Sequence, residues 1–316
     1  LDINLKGKAS DVLLNGGKSE SYAIVPDYYN GILPKVVAKV GEKVKAGSVL
    51  MIDKNRPEIK FVSPVSGEVT AVNRGEKRKV LSIVVKPDAQ IEYEEFGKKN
   101  VASLQGAEVK EVLLNAGMWP FIKQRPYDIV AAPLDTPRDI FVSAFYSAPL
   151  APNFDFIVKG QEADFQTGLN ALAKLTNGKV YVGVRSGSVV SGMKGVEIVE
   201  VEGPHPAANV GVQINHIKPV NKGEVVWTVN PADVIVIGRL FNKGVADFSR
   251  MVAITGSETT ERGYVKTISG CTIKSLVNGK VLGQEHIRII SGNVLTGTKV
   301  NMDGYLGAYD NQITVI

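Results

Sequence analysis

The sequence predicts a multidomain α/β protein: a β module over residues 1–95, a mostly parallel α/β layer over 96–250 and a second, small β domain over 251–316. Three observations predict it. Over residues 36–86, short β-type runs alternate with turn glycines. Across residues 96–250, helical periodicity alternates with short continuous apolar runs, the pattern of strands covered by helices. From Arg250 onward the texture is β again, with glycines recurring as far as Gly307.

In the β module, Gly41, Gly47, Gly67 and Gly75 sit where tight turns need a positive φ or a close backbone approach. Leu81, Ile83 and Val85 alternate as a half-buried strand does. Pro64 fixes a corner before Gly67, and residues 1–30, broken by Gly16-Gly17 and Asn30-Gly31, read as hairpins completing the module. The pattern resembles the biotinyl/lipoyl barrel-sandwich hybrid, which implies a part of a larger machine. Lipoyl domains carry their modified lysine in a tight exposed hairpin, and Asp53-Lys54 is similar. However, Asn55-Arg56-Pro57-Glu58 lengthen that turn, and Pro57 removes a ladder donor. Lys54 therefore reads as a surface lysine.

In the central layer, Val109, Val112, Leu113 and Ala116 recur at i, i+3, i+4, i+7, an amphipathic helix that Gly117 stops. Residues 139–145 read as a strand. Glu162 and Asp164 favour a helix N-terminus. Leu169, Leu172, Ala173 and Thr176 form its face, and Asn177-Gly178 closes it. Val180, Val182 and Val184 give the next strand, with further strands at 196–201 and 234–238. Val210, Ile214 and Ile217 mark another helix. Residues 251–255 read as a strand, and 271–277 as a short helix in a β-grasp-like domain.

The most apolar stretch, Val234-Ile235-Val236-Ile237, is far shorter than the roughly 18–20 residues of a membrane span. No secretory signal is visible. The chain begins at Leu1 in what reads as the middle of a strand and ends in one at Gln312-Ile313-Thr314-Val315-Ile316, as if trimmed at one or both ends. The single cysteine, Cys271, excludes an internal disulfide and any cluster built from this chain's cysteines alone. His205, His216 and His286 have no metal-ligand spacing, so no metal site is expected.

The net charge is +5, and between Lys35 and Lys79 there are 11 Lys/Arg against 5 Asp/Glu. That segment accounts for the whole excess, with Arg74-Gly75-Glu76-Lys77-Arg78-Lys79 its most basic part. A basic face suits anionic lipid or an acidic partner, or is simply a solvated hairpin. No nucleic-acid partner is expected, because no aromatic residues interleave these cations.

Three passages carry a more specific resemblance. They are Lys60-Phe61-Val62-Ser63-Pro64-Val65-Ser66-Gly67, Glu202-Gly203-Pro204-His205-Pro206-Ala207, and Arg288-Ile289-Ile290-Ser291-Gly292-Asn293-Val294-Leu295-Thr296-Gly297-Thr298. Ala116-Gly117-Met118-Trp119-Pro120-Phe121, Arg125-Pro126 and Tyr305-Leu306-Gly307-Ala308-Tyr309 fit with them. In order and spacing they resemble the A subunit of the bacterial Na+-translocating NADH:quinone oxidoreductase (Na+-NQR) across essentially the whole chain. That family is longer at its C-terminus, so the chain resembles a truncated version. The resemblance extends to the flavin- and NADH-binding subunit of respiratory complex I and the C subunit of the Rnf complex. It implies a Rossmann-like central layer and an SLBB/β-grasp-like C-terminal domain. Those relatives have a flavin-cradling glycine loop and a cluster-binding cysteine motif. This sequence has neither G-x-G-x-x-G nor C-x-x-C.

The resemblance implies a peripheral subunit on the cytoplasmic side of the bacterial inner membrane. Its complex passes electrons from NADH to ubiquinone and exports Na+. NADH, FAD, FMN and iron–sulfur sites would belong to other subunits, with no cofactor bound by this chain alone. The partners would be those subunits, especially the membrane quinone/FMN subunit. As this family has been associated with quinone, the expected site is an apolar slot with hydrogen-bond donors. Residues 118–127 offer one: Trp119, Phe121 and Tyr127 to stack on a ring, Lys123 and Arg125 to stabilise a developing anion. Tyr28 and Tyr29 form a second candidate. His205 is a possible proton donor or subunit contact, and no residue stands out as catalytic. The alternative is an autonomous flavin- or NADH-binding oxidoreductase.

Overall fold

The computed structural model describes residues 3–283 and 286–316. Two small sheets make the first module. Strands β1 (Tyr22–Ile24), β3 (Lys43–Val44), β6 (Gly67–Arg74) and β7 (Val80–Pro87) lie in the order β1-β7-β6-β3. Strands β2 (Pro34–Val36), β4 (Val49–Asp53) and β5 (Lys60–Val62) lie in the order β2-β4-β5. Leu50, Met51, Phe61, Val65, Val69, Ile83 and Val85 fill the space between them. Gly67 permits the corner: a Cβ there would lie 1.9 Å from the Lys86 carbonyl oxygen, at φ +155°.

Two local readings of this module change. Leu81 is 43% exposed, whereas Ile83 and Val85 are fully buried. The β6–β7 register jumps from Asn73↔Ser82 to Arg74↔Val80, so Leu81 is the extra residue of a bulge and the inward set shifts to Val80. Gly75 has φ −99°, not a positive value, and a Cβ on it would stand 3.3 Å from the Leu81 side chain. The loop after β4 is organised by buried Asp53, which accepts from Leu33 N, Asn55 N and Arg56 Nε at 3.1, 3.2 and 2.7 Å. Lys54 is exposed there, on a loop that Arg56 fastens to the Gly31 and Val130 carbonyls.

Of residues 1–30, the stretch from Tyr22 to Ile24 joins the module; the earlier part crosses to the far end of the chain. Residues 3–5 form no strand, and Leu1 and Asp2 lie outside the described residues. Leu13 bridges Tyr264, Leu14 N donates to the Tyr264 carbonyl (2.7 Å) and Gly17 N donates to the Ser275 carbonyl (3.2 Å). The attraction is an open sheet edge, whose backbone groups need partners.

The central layer starts with α1 (Gly106–Asn115), closed by Gly117 at φ +67°. Then come β8 (Ile122–Arg125), β9 (Ile129–Val130) and β10 (Ile140–Ser143). Helices α2 (Phe154–Val158) and α3 (Glu162–Ala173) lead to β11 (Val180–Val184) and β12 (Glu197–Glu200). Thr176 lies beyond the helix face expected of it, and its hydroxyl donates to the Pro137 and Arg138 carbonyls. Helix α4 (Val210–Ile217), strand β13 (Val226–Val229) and helix α5 (Pro231–Lys243) complete the layer. The sheet order is β12-β11-β10-β13-β8-β9; the first four strands are parallel, and β8 runs antiparallel to β13.

Residues 234–238, expected as a strand, are the middle of α5. Asn230 Oδ1 accepts from Ala232 N, Pro231 stands in the first turn and Gly244 caps the end at φ +77°. All residues from Pro231 to Phe241 are buried, so the helix has no polar face to reveal its period. Against α3 it packs through glycines: a Cβ on Gly168 would meet the Val234 carbonyl oxygen at 2.1 Å. The strand of this stretch is β13, just upstream.

The last domain is a five-stranded sheet in the order β15-β14-β18-β16-β17. Its strands are β14 (Ser249–Thr255), β15 (Gly263–Ile268), β16 (Ile289–Ser291), β17 (Thr298–Val300) and β18 (Gln312–Val315). Thr272 caps the short α6 (Ile273–Val277). A buried ion pair, Arg250 Nη2 to Asp233 Oδ1 at 2.9 Å, joins β14 to α5.

Candidate functional site

Residues 118–127 form a short 3-10 turn and a strand. Along β8 side chains alternate between two sides. Gln124 turns one way, accepting from Trp227 Nε1 (3.1 Å) and Ala132 N (3.1 Å). Phe121, Lys123 and Arg125 turn the other way, into a cleft of about 510 Å3.

The sheet order explains the cleft. From β10 the chain moves outward to β11 and β12, then returns across α4 to β13 on the other side of β10. The carboxyl ends of β10 and β13 thus diverge at a topological switch point, where such layers take ligands. Ser143 ends β10, Val229 and Asn230 end β13, and the first turns of α4 and α5 open on the gap. Asn209, at the start of α4, makes no side-chain cap, and among the described residues only the first-turn N–H group of Val212 is taken, by the Asn209 carbonyl, which leaves those of Val210 and Gly211 for a ligand. Phe145, Tyr146 and Tyr309 complete the wall.

Its charges are held loosely. Lys123 Nζ and Arg125 Nε each lie 3.4 Å from Asp128, on Oδ2 and Oδ1 respectively. Arg125 Nε and Asp128 Oδ1 are buried without a hydrogen-bond partner. Lys123 also stands 4.2 Å above the Tyr309 ring. Tyr309 donates to the Pro120 carbonyl at 2.6 Å, and Tyr146 to Asn230 Oδ1 at 3.0 Å. Burial lifts both phenols above their ordinary pKa, so both stay protonated at neutral pH. Behind them Asp233 is lifted to about 6, by burial first, against the pull of Arg250.

The other expected site residues fall elsewhere. Trp119 is fully buried on the opposite side of β8; its Nε1 donates to the Ala131 carbonyl (2.8 Å), and it meets Trp227 edge-on at 5.3 Å. Tyr127 is 81% exposed at the hairpin turn. Tyr28 and Tyr29 line a separate cavity of about 40 Å3 with Phe61 and Phe248. Tyr29 packs edge-on against Phe61 (4.7 Å) and Tyr309 (5.7 Å), next to the cleft wall. His205, with Nδ1 3.1 Å from Ser147 Oγ, is not among the cleft-lining residues, although Ala208 and Asn209 of the same loop are. Tyr146, Asn230 and Asp128 carried no sequence signal as a group; Asn230-Pro231, an N-cap followed by a first-turn proline, was the one local cue. Among the described residues, no group of acidic, His and Cys side chains is placed to hold a metal ion.

A β module, an α/β layer with an open crevice at its switch point, and a terminal sheet stitched to both define a multidomain α/β protein with a ligand-sized cleft in its central layer. Family models identify the three parts. Residues 1–88 match the NqrA N-terminal barrel-sandwich hybrid domain, 104–246 the NqrA second alpha/beta domain and 251–302 the NQRA C-terminal (SLBB) domain. The relatives include the A subunit of the Na(+)-translocating NADH-quinone reductase of Neisseria meningitidis serogroup A, 35% identical over 100% of this chain and 72% of that protein. The corresponding protein of Hahella chejuensis is 36% identical over the same shares. The chain belongs to the NqrA family, the A subunits of the Na+-translocating NADH-quinone reductase. An NAD+-reducing nickel–iron hydrogenase matches at a TM-score of 0.41 and 11% identity, covering 58% of this chain and 41% of that one, too loose a likeness to argue from.

Proposed function

We propose that this chain is a peripheral subunit of a respiratory Na+ pump, and that its switch-point cleft borders or holds the quinone ring. The complex would oxidise NADH, reduce ubiquinone and export Na+, with flavins and iron–sulfur centres in the neighbouring subunits. The observation that carries the quinone reading is the convergence of Phe121, Lys123, Arg125, Tyr146 and Tyr309 on one cleft of about 510 Å3. A quinone needs apolar faces for its ring and donors for its two carbonyl oxygens. Phe121, Phe145 and Val229 supply the first; Lys123, Arg125 and the first turn of α4 supply the second. Charge growing on the oxygens during reduction would be countered by the two cations, which Asp128 holds at 3.4 Å only. The parallel strands β12-β11-β10-β13 support a Rossmann-like ancestry for the layer.

Among the described residues, no helix is long and apolar enough to cross a membrane. Its partners on the cytoplasmic face would be the other subunits, chiefly the membrane quinone/FMN subunit. A photoreactive ubiquinone in the assembled complex tests the site. Peptides around Lys123–Arg125 or Tyr309 should carry the label; labelling confined to other subunits removes the quinone role and leaves a scaffold. The rival, an autonomous NADH- or flavin-binding oxidoreductase, has the position of the same crevice in its favour. It fails if the purified chain is colourless and shows no saturable binding of NADH or FMN.

A further inference from the structure

The β6–β7 hairpin ends in a turn that takes no part in the cleft. Residues 74–79 carry four cations, Arg74, Lys77, Arg78 and Lys79, against one acid, Glu76. All five of these side chains are exposed. Among the described residues, only Lys79 of the four is paired with a carboxylate, to Asp27 at 2.6 Å.

The backbone spends stability to hold this shape. Lys77 and Arg78 both adopt left-handed φ, 51° and 62°, a region unfavourable to residues with a Cβ. The conformation is fixed by Gly75 N to the Lys79 carbonyl (2.9 Å), Lys79 N to the Glu76 carbonyl (3.1 Å) and Arg74 Nη1 to the Arg78 carbonyl (3.1 Å). Directly beyond it, the bulge turns Leu81 outward, 43% exposed, while Val80 anchors the strand at 6%.

We infer that this turn is a membrane-docking tip for anionic lipid headgroups. A hairpin end is convex and offers no groove to seat a folded acidic partner, whereas a fluid array of headgroups moulds to it. Cations flanking one outward leucine match the two layers of a bilayer interface, charge above and acyl chain below. The excess of cations over acids between Lys35 and Lys79 extends the attraction beyond the turn itself. Such docking is independent of what the switch-point cleft binds.

Sedimentation of the full chain with vesicles tests it. Vesicles of equal parts phosphatidylglycerol and phosphatidylcholine should retain the chain, and vesicles of phosphatidylcholine alone should not. Each cation in contact with such a surface changes the partition by about fivefold. The double variant Lys77→Glu/Arg78→Glu should therefore reduce binding by more than about tenfold, as should high salt. Leu81→Ser should reduce it several-fold at low salt. All three positions are exposed, so an unchanged circular dichroism spectrum separates lost docking from lost folding. Equal retention on the two vesicle types overturns the inference, as does a double variant that binds like the parent. So does a variant that fails only to join the assembled complex, which would make the tip a protein contact.

Discussion

The two sides of β8 differ in how fully their polar groups are satisfied. On one side, Trp119 and Trp227 stack edge-on, and both indole N–H groups are taken, by the Ala131 carbonyl and by Gln124. On the other side, Arg125 Nε and Asp128 Oδ1 are buried without a hydrogen bond, and so are Asp233 Oδ2 and Arg250 Nε behind the cleft wall. Those are four of the five such atoms among the described residues. A satisfied network rigidifies a core; an unsatisfied one near a cleft asks what else binds there. On the Trp119 side both indole N–H groups have a structural task; on the Lys123 side the charges are underused.

The largest effect is expected at Arg250. Arg250→Met strands the Asp233 carboxylate in the interior, and chemical denaturation should show a loss of about 3–5 kcal/mol. A loss under 1 kcal/mol would mean that water already serves that acid.

The next effect is a pH dependence. Burial lifts the folded Asp233 pKa from 3.8 to about 6, so between those values the folded state binds more protons than the unfolded one. The contribution of this group is therefore fully present at lower pH and is lost as pH rises from about 4 to 6, at roughly 1.4 kcal/mol for each pH unit crossed. Urea midpoints across that window should show a falling component that Asp233→Asn abolishes. Asp233→Asn leaves the Arg250 guanidinium charged, buried and without its counter-ion, so this variant too should lose about 3–5 kcal/mol at pH 7.

Trp119→Phe sharpens the other side. It removes the donor to the Ala131 carbonyl and should cost about 1–3 kcal/mol by denaturation, leaving ligand binding alone. Smallest in stability is Lys123→Gln, expected within about 0.5 kcal/mol of the parent. Titration with a short-chain ubiquinone should nevertheless show binding weakened by roughly tenfold, in line with the loss of a charged hydrogen bond. Unchanged affinity would move the site away from this side of β8.

Much of the fold was legible because its elements carry their own periods. Val109, Val112, Leu113 and Ala116 declare α1, and Val180, Val182 and Val184 declare β11. The α5 stretch misled because burial on all sides erases periodicity and leaves only β-branched composition. The Leu81 bulge was invisible because it depends on the partner strand. Within the cleft, Phe121, Lys123 and Arg125 were readable as one passage, yet β8 was not, since its alternation pairs polar with polar. Tyr146, Asn209, Asn230 and Tyr309 come from four separate segments, and only the strand order brings them together.

The early segment that lies along β15 has a consequence for biosynthesis. Ser19 bonds Thr272 across a sequence separation of 253 residues, so the earlier stretch waits for that much further synthesis before it can settle. Until Tyr264 has been made, the Leu14 side chain lacks its packing and the Val12 carbonyl and Leu14 N–H lack their partners, an invitation to wrong ones. Production of this polypeptide should thus lean on holding factors, and nascent chains halted before Gly263 should be captured by them far more than finished ones.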